Sequence, residues 1–232
     1  MHAMILAAGR GERMRPLTDR TPKVLLEVGG KPLLEWHIEN LHRAGFDRIV
    51  INHAWLGEQI EQRLGDGSRF GVRIAYSPEG QALETAGGIA MALALIGADP
   101  FIVVNGDIFT DLDFSDLLPR LRALSARSLL AHVVLVDNPP HHPQGDFALH
   151  GETVAPSGDK RLTFSGVGLY QPQLFDAIKP GQRAPLAPLL RTAMQSGAVT
   201  GERFGGLWFD VGTPERLQEL NRIVAARKEK RS

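Results

Sequence analysis

Short apolar runs alternate along this chain with segments in which apolar residues recur every three or four positions. Strands buried on both faces read as continuous apolar runs, and helices laid over them show one apolar stripe. Met4 to Ala8, Arg48 to Asn52, Val72 to Ser77, Phe101 to Asn105 and Leu129 to Val136 are runs of the first kind. Between them, Leu33, Leu34, Ile38 and Leu41 stand at helical spacing and Gly45 closes the segment. Glu58 to Leu64 stops at Gly65, Thr85 can cap a helix through Ala86 to Leu95, and Phe114 to Leu124 is helical. This alternation predicts an α/β fold, with a mixed, mostly parallel central sheet and helices on both faces.

The pattern changes after Val136. Asp137 to Gly145 is a loop rich in proline and histidine, followed by strand-like pieces near Phe147–Leu149 and Thr163–Tyr170. Leu186 to Gln195 is helical, Val199 to Phe209 predicts a hairpin around Gly205-Gly206, and Thr213 caps a final helix. Lys228 to Arg231 reads as a solvated, mixed-charge tail. With no internal repeat and no clear linker, residues 1–232 are expected to form one domain. Its halves, about 1–136 and about 137–232, are expected to face a nucleotide and a second substrate.

A chain of 232 residues that is 43% hydrophobic can bury a sizeable core. Lys+Arg and Asp+Glu balance at 26 each, which argues against a general nucleic-acid binder, so any cationic site must be local. The absence of cysteine excludes a disulfide framework and a cysteine-based zinc site. No apolar run is long enough to span a bilayer, and a cytoplasmic location is expected.

One stretch concentrates that local charge. After the first apolar run come Gly9 and Gly11, and Arg10, Arg13, Arg15, Arg20 and Lys23 outnumber Glu12 and Asp19. A cationic glycine loop at the carboxyl end of a strand suits a polyphosphate. It lacks the Gly-Lys-Ser/Thr of a P-loop, and Met14 stands where a dinucleotide fingerprint needs its third glycine. Asn105-Gly106-Asp107 ends the fourth apolar run, where a carboxylate is well placed for Mg²⁺. Asp210 in Trp208-Phe209-Asp210-Val211-Gly212-Thr213 is a second candidate carboxylate. His53 suits a polar loop position, His141 and His142 a loop near a substrate, and Asp111 and Asp113 a turn and a cap.

The stretch Leu6-Ala7-Ala8-Gly9-Arg10-Gly11-Glu12-Arg13-Met14-Arg15-Pro16-Leu17-Thr18, with Thr21-Pro22-Lys23 behind it, resembles the signature of the sugar-1-phosphate nucleotidylyltransferases. The resemblance runs from Met4 to the final helix. It implies a Rossmann-like nucleotidyltransferase fold and Mg²⁺-dependent, in-line attack of a sugar 1-phosphate on the α-phosphate of a nucleoside triphosphate. Carried over by motif, Arg13, Lys23 and Asp107 would be catalytic, and Asp107 and Asp210 would hold the metal. Ala8, Gly9, Gly11, Glu12, Arg13, Lys23, Glu79, Gly80 and Thr85 would bind the nucleotide; Asn105, Gly145, Asp146, Ser165 and Gly166 would bind the sugar phosphate. The stretches Val50 to Gly57, Leu64 to Gly71 and Tyr76 to Gly80 are most similar to a short group of these enzymes that uses UTP and N-acetylmuramate α-1-phosphate in cell-wall recycling. One departure keeps a guanylyltransferase acting on mannose 1-phosphate in view. The family's usual L-G-T-A is here Leu83-Glu84-Thr85-Ala86, and Glu84 either reads the base or caps the helix. The resemblance implies no nucleic-acid or membrane partner and no particular oligomeric state.

Overall fold

The computed structural model describes residues 1–229. In chain order the strands are β1 (His2–Leu6), β2 (Glu27–Val28), β3 (Lys31–Pro32), β4 (Arg48–His53), β5 (Arg73–Pro78), β6 (Phe101–Asn105), β7 (Ile108–Thr110), β8 (Ala131–Val136), β9 (Phe147–His150), β10 (Thr153–Ala155), β11 (Arg161–Tyr170), β12 (Val199–Arg203) and β13 (Trp208–Asp210). The α-helices are α1 (Leu33–Arg43), α2 (Gly57–Leu64), α3 (Glu84–Ile96), α4 (Leu118–Ala126), α5 (Leu186–Gln195) and α6 (Pro214–Glu229).

Nine strands form one sheet in the order β5-β4-β1-β6-β11-β8-β12-β10-β9. The first four run parallel, and β11 enters antiparallel between β6 and β8. Because β12 is parallel to β8 and β9 is antiparallel to β10, seven of the nine strands share one direction. Alternation along β1 shows how the layers form. Ala3 and Ile5 point into a core with Leu34, Ile38 and Leu41 of α1, while Met4 points into a core with Ala86 and Ile89 of α3. Each large side chain so buried stabilises the fold by about 1.5–3 kcal/mol.

A third, smaller core lies outside the sheet. Met14, Val28, Leu33, Phe109, Val211, Leu217, Leu220 and Val224 pack together there. Met14 at the missing third glycine is fully buried in it, so that position anchors the glycine loop rather than seating a helix on a dinucleotide.

The sequence reading differs at three places. The expected hairpin over Val199–Phe209 does not form: β12 pairs with β8, and β13 pairs antiparallel with β7 as a separate two-stranded ribbon. Thr85 is not a cap. The helix starts one residue earlier, with Leu83 at the cap position and no side-chain cap bond. Thr213 does accept the Arg216 N–H at the start of α6, at 3.4 Å. Of the expected charged tail, Lys228 and Glu229 belong to α6, and Lys228 donates to the Gly29 carbonyl at 2.7 Å; the remainder lies outside the described residues. No helix among the described residues is long and apolar enough to cross a membrane.

Candidate active site

β4, β1 and β6 lie side by side and parallel, with Leu6 in register with both Asn52 and Asn105. Their carboxyl ends therefore open onto one edge, where α/β sheets bind ligands. The glycine loop leaves β1 at this edge. Gly11 has φ +71°, and a Cβ there would press on Thr18 and Lys23. Thr18 Oγ donates to the Gly11 carbonyl at 2.8 Å, and the Trp55 indole N–H donates to the Thr18 carbonyl at 3.0 Å. The Arg10 guanidinium lies 3.5 Å over the Trp55 ring. The loop is thus fastened from both sides, with Lys23 buried beneath it and donating to Asp107 at 2.6 Å.

A cleft of about 210 Å³ runs from this loop toward the start of α3. Ala7, Ala8, Gly9, Lys23 and Asp107 line one end; Asn52, Glu79, Ala82, Glu84 and Thr85 line the other. A hydrogen-bond chain joins the two ends. The Ala7 N–H donates to Asn52 Oδ1 at 2.9 Å, Asn52 Nδ2 donates to Glu79 Oε1 at 2.5 Å, and the Leu83 N–H donates to Glu79 Oε2 at 2.8 Å. Both Glu79 oxygens are engaged, so this residue positions the cleft walls. Each of its oxygens keeps a further lone pair toward the cleft that it lines.

Glu84 has φ +61°, which explains why glycine is usual at this position. The left-handed conformation costs a residue with a Cβ about 1–2 kcal/mol. Glu84 pairs with Arg183 at 2.8 Å, but that guanidinium is 74% exposed. Such a pair returns at most about 1 kcal/mol. The loop carrying Arg183 is already held by main-chain bonds of 3.0 Å, from the Ala184 N–H to Leu83 and from the Ala86 and Gly87 N–H groups to Ala184. Glu84 therefore adds no net stability.

Asp107 and Asp210 come from positions about a hundred residues apart and meet through the ribbon. Ile108 pairs with Asp210, and the Val211 N–H donates to the Asp107 carbonyl at 3.0 Å. Both line a cavity of about 370 Å³ with Arg13, His141, Ser165, Gly166 and Trp208. Arg216 donates to Asp210 at 2.9 Å and to His141 Nε2 at 2.6 Å. It reaches them by folding back over Gly212, where any Cβ would collide with its guanidinium. Two hard carboxylates fit a divalent cation of the Mg²⁺ kind, which takes one or two protein carboxylates and fills its shell with phosphate oxygens and water. No cluster of three or more metal-binding side chains occurs among the described residues.

Asn105 links the rooms of the site. It lines the cleft beside the glycine loop, the carboxylate cavity and a third cavity of about 390 Å³ with Asp146, Phe147, Phe164 and Leu190. The register of β11 against β8 shifts between Phe164 and Gly168, and Gly166 packs on Asn105 there. The Asp146 oxygens bond His142 at 3.1 Å and the Phe164 N–H at 2.8 Å. Behind the ribbon, fully buried His37 donates from Nε2 to the Ile108 carbonyl at 2.8 Å while Nδ1 has no partner. Burial pushes its pKa down to about 4; the Ile108 bond and the Asp107 charge act weakly the other way.

Arg13, Lys23, Asp107, Asp210, Ala8, Gly9, Glu79, Thr85, Asn105, Asp146, Ser165 and Gly166 thus surround one connected set of cavities. Glu12 is exposed and pairs with Arg10 and Arg15, and exposed Gly80 lines none of these cavities. Gly11 and Gly145, with φ +71° and +59°, shape loops behind the walls. The sequence reading left out Asn52 and Arg216; an asparagine at a strand end and an arginine in a helix's first turn, against the dipole, were the available signals.

A family model described as nucleotidyl transferase matches residues 2–227. The chain belongs to this family. Across 230 residues it is 57% identical to the N-acetylmuramate alpha-1-phosphate uridylyltransferase of Neisseria meningitidis serogroup B, covering 97% of this chain and 99% of that one. The protein of the same description from Caulobacter vibrioides is 34% identical, with 92% of each chain covered. The mannose-1-phosphate guanylyltransferase catalytic subunit beta of Xenopus tropicalis is 27% identical over 93% of this chain and 62% of its own. A solved Bacillus anthracis structure, described as a glucose-1-phosphate thymidylyltransferase in complex with sucrose, superposes with a TM-score of 0.83. It covers 96% of this chain and 95% of that one at 23% identity, a likeness of fold. The family's fold and its nucleotidyl-transfer chemistry are those of this chain.

Proposed function

We propose that this enzyme transfers a uridylyl group from UTP to N-acetylmuramate α-1-phosphate, releasing pyrophosphate and UDP-N-acetylmuramate, with Mg²⁺ as the metal. The observation that carries the substrate pair is the 57% identity, nearly end to end, with the Neisseria relative. In this reading residues 1–136 hold the nucleotide and 137–232 the sugar. The triphosphate lies along Ala8, Gly9 and Gly11, with Arg13 and Lys23 as its cations. The nucleoside extends toward Glu79 and Thr85. The sugar phosphate enters past Asn105, Asp146, Ser165 and Gly166.

An anionic oxygen of the sugar phosphate forms a bond to the α-phosphorus. The bond from that phosphorus to the oxygen bridging to the β-phosphate breaks, and its electron pair leaves with pyrophosphate. The nucleophile is already charged, since a phosphate monoester takes its second proton only below about pH 6. No general base is needed, and the protein's task is alignment and charge neutralisation. Lys23, held within 2.6 Å of Asp107, ties the phosphate loop to the carboxylates. Asp107 and Asp210 would hold Mg²⁺, which bound there neutralises phosphate charge. The reaction fits recycling of cell-wall sugar in the cytoplasm, where UTP is made.

The test is pyrophosphate release over a grid of UTP, GTP and dTTP against the 1-phosphates of N-acetylmuramate, N-acetylglucosamine, mannose and glucose. Turnover confined to UTP with the muramate sugar is expected. Turnover with GTP and mannose 1-phosphate would overturn the substrate assignment.

A further inference from the structure

Each of the two carboxylates in the carboxylate cavity already holds a protein cation. Lys23 donates to Asp107 at 2.6 Å, and Arg216 Nη1 donates to Asp210 Oδ2 at 2.9 Å. The Arg216 and Asp210 side chains are only 15% and 25% exposed, so salt screens their pair less than a surface pair. Its geometry is nonetheless loose. An arginine binds a carboxylate best with two nitrogens on two oxygens. Arg216 reaches Asp210 through Nη1 alone, and it shares that nitrogen with His141 Nε2 at 2.6 Å. The guanidinium also has somewhere else to go. It lines a further cavity of about 650 Å³, which shares Arg13, His141, Trp208 and Asp210 with the carboxylate cavity. Charge decides when it moves. A divalent cation arriving alone beside Lys23 and Arg216 leaves the site strongly positive. A triphosphate arriving alone brings about four negative charges and leaves it strongly negative. The two together leave it close to neutral.

We propose that Arg216 is a resident counter-ion for Asp210, which it yields to the metal only when a nucleotide arrives, passing then to the phosphate oxygens beside Arg13. This rests on the reading above that puts the metal on Asp107 and Asp210 and the triphosphate along Arg13. Arg216 is a positioning residue in this scheme. While it stays on Asp210, the free enzyme holds a bare metal ion poorly. Once phosphate draws it away, the carboxylate is released to the metal. Metal and nucleotide therefore strengthen each other's binding, by the same factor in both directions. Gly212 makes the resting state possible, since a Cβ there would collide with the guanidinium.

The experiment uses Mn²⁺ as the probe. Its Kd is measured from the electron paramagnetic resonance of the free ion, without nucleotide, for the wild type, Arg216→Gln and Gly212→Ala. The Kd of UTP is then measured with and without saturating Mn²⁺, leaving out the sugar phosphate so that nothing is turned over. Thermal unfolding is followed in the same preparations. Without nucleotide, Arg216→Gln should bind Mn²⁺ at least about fivefold tighter than the wild type, the lower end of what coupled sites show. Gly212→Ala keeps the charge but moves it off Asp210, and it should tighten Mn²⁺ binding in the same direction. The factor by which Mn²⁺ strengthens UTP binding should shrink at least about fivefold in Arg216→Gln. Mn²⁺ binding by nucleotide-free Arg216→Gln that is weaker than wild type, or within twofold of it, would overturn the assignment. An arginine that merely held Asp210 in place would weaken the metal when lost. An unchanged coupling factor would also overturn it, because Arg216 would then not pass to the phosphates. A wild type that turns over GTP in place of UTP would remove the uridylyl reading and leave this one standing, with the coupling read from GTP.

Discussion

Lowering the pH should unfold this protein through one buried ring. His37 sits under β7 with its Nδ1 unpartnered, and its pKa falls from 6.5 to about 4 because burial disfavours the cation. In the unfolded chain the same ring protonates near 6.5. Below that pH the unfolded state binds a proton that the folded state refuses. Stability is therefore complete above pH 6.5 and is lost progressively until the folded ring protonates near 4. Between pH 7 and pH 5 the loss from this residue is about 2 kcal/mol, and it approaches about 3 kcal/mol at pH 4. Urea unfolding of the wild type and of His37→Gln at pH 7 and pH 5 measures it. Glutamine keeps a donor for the Ile108 carbonyl and cannot titrate, so the variant should lose about 2 kcal/mol less than wild type across that interval. Equal losses in the two proteins, to within about 0.5 kcal/mol, would refute the reasoning, because the other histidines are common to both.

Asn52→Ala strips the Ala7 N–H and Glu79 of their partner in a buried place; unfolding should cost about 1–3 kcal/mol less, a fall of several degrees in Tm, with a higher KM for UTP. An unchanged Tm would show that the chain of bonds does not brace the cleft. Gly212→Ala places a methyl group against the Arg216 guanidinium and should displace it from Asp210; kcat/KM is expected to drop at least about tenfold while Tm moves by only a few degrees, and wild-type turnover would show that the placement of Arg216 does not matter. Asp107→Asn removes a charged ligand and leaves Lys23 without its counter-ion; turnover should fall by about 10²–10³-fold or more and Mn²⁺ binding should weaken in parallel, whereas unaltered metal affinity would take Asp107 out of the metal site.

Much of this architecture could be read from the chain because β1, β4 and β6 are buried on both faces. A strand covered by helices on each side keeps its polar residues at its ends, so its apolar middle is marked plainly. The ribbon escaped for the opposite reason: β7 and β13 are three residues each, too short for any periodicity. The supposed hairpin at Val199–Phe209 failed because a glycine pair between two apolar segments marks a turn, and says nothing about which strands the segments join. Both partners, β8 and β7, lie many tens of residues upstream. The glycine loop and Lys23 are local in sequence and were legible as a unit. The bond from Asn52 to Glu79 joins residues at the ends of two strands, 27 positions apart, and leaves no local signal. His141 became part of the Asp210 cluster through Arg216, a residue 75 positions away.

The ribbon also bears on how the protein comes into being. During synthesis the glycine loop, Lys23 and Asp107 leave the ribosome early, yet Ile108–Thr110 have no strand to pair with until Trp208–Asp210 have been made. The third core is later still, since Val28 and Leu33 wait for Leu220 and Val224. Contacts this distant in sequence form slowly, after the local ones. The nascent polypeptide can therefore assemble its glycine loop well before Asp210 stands beside Asp107. On the proposed reading, turnover is expected only once β13 has joined β7.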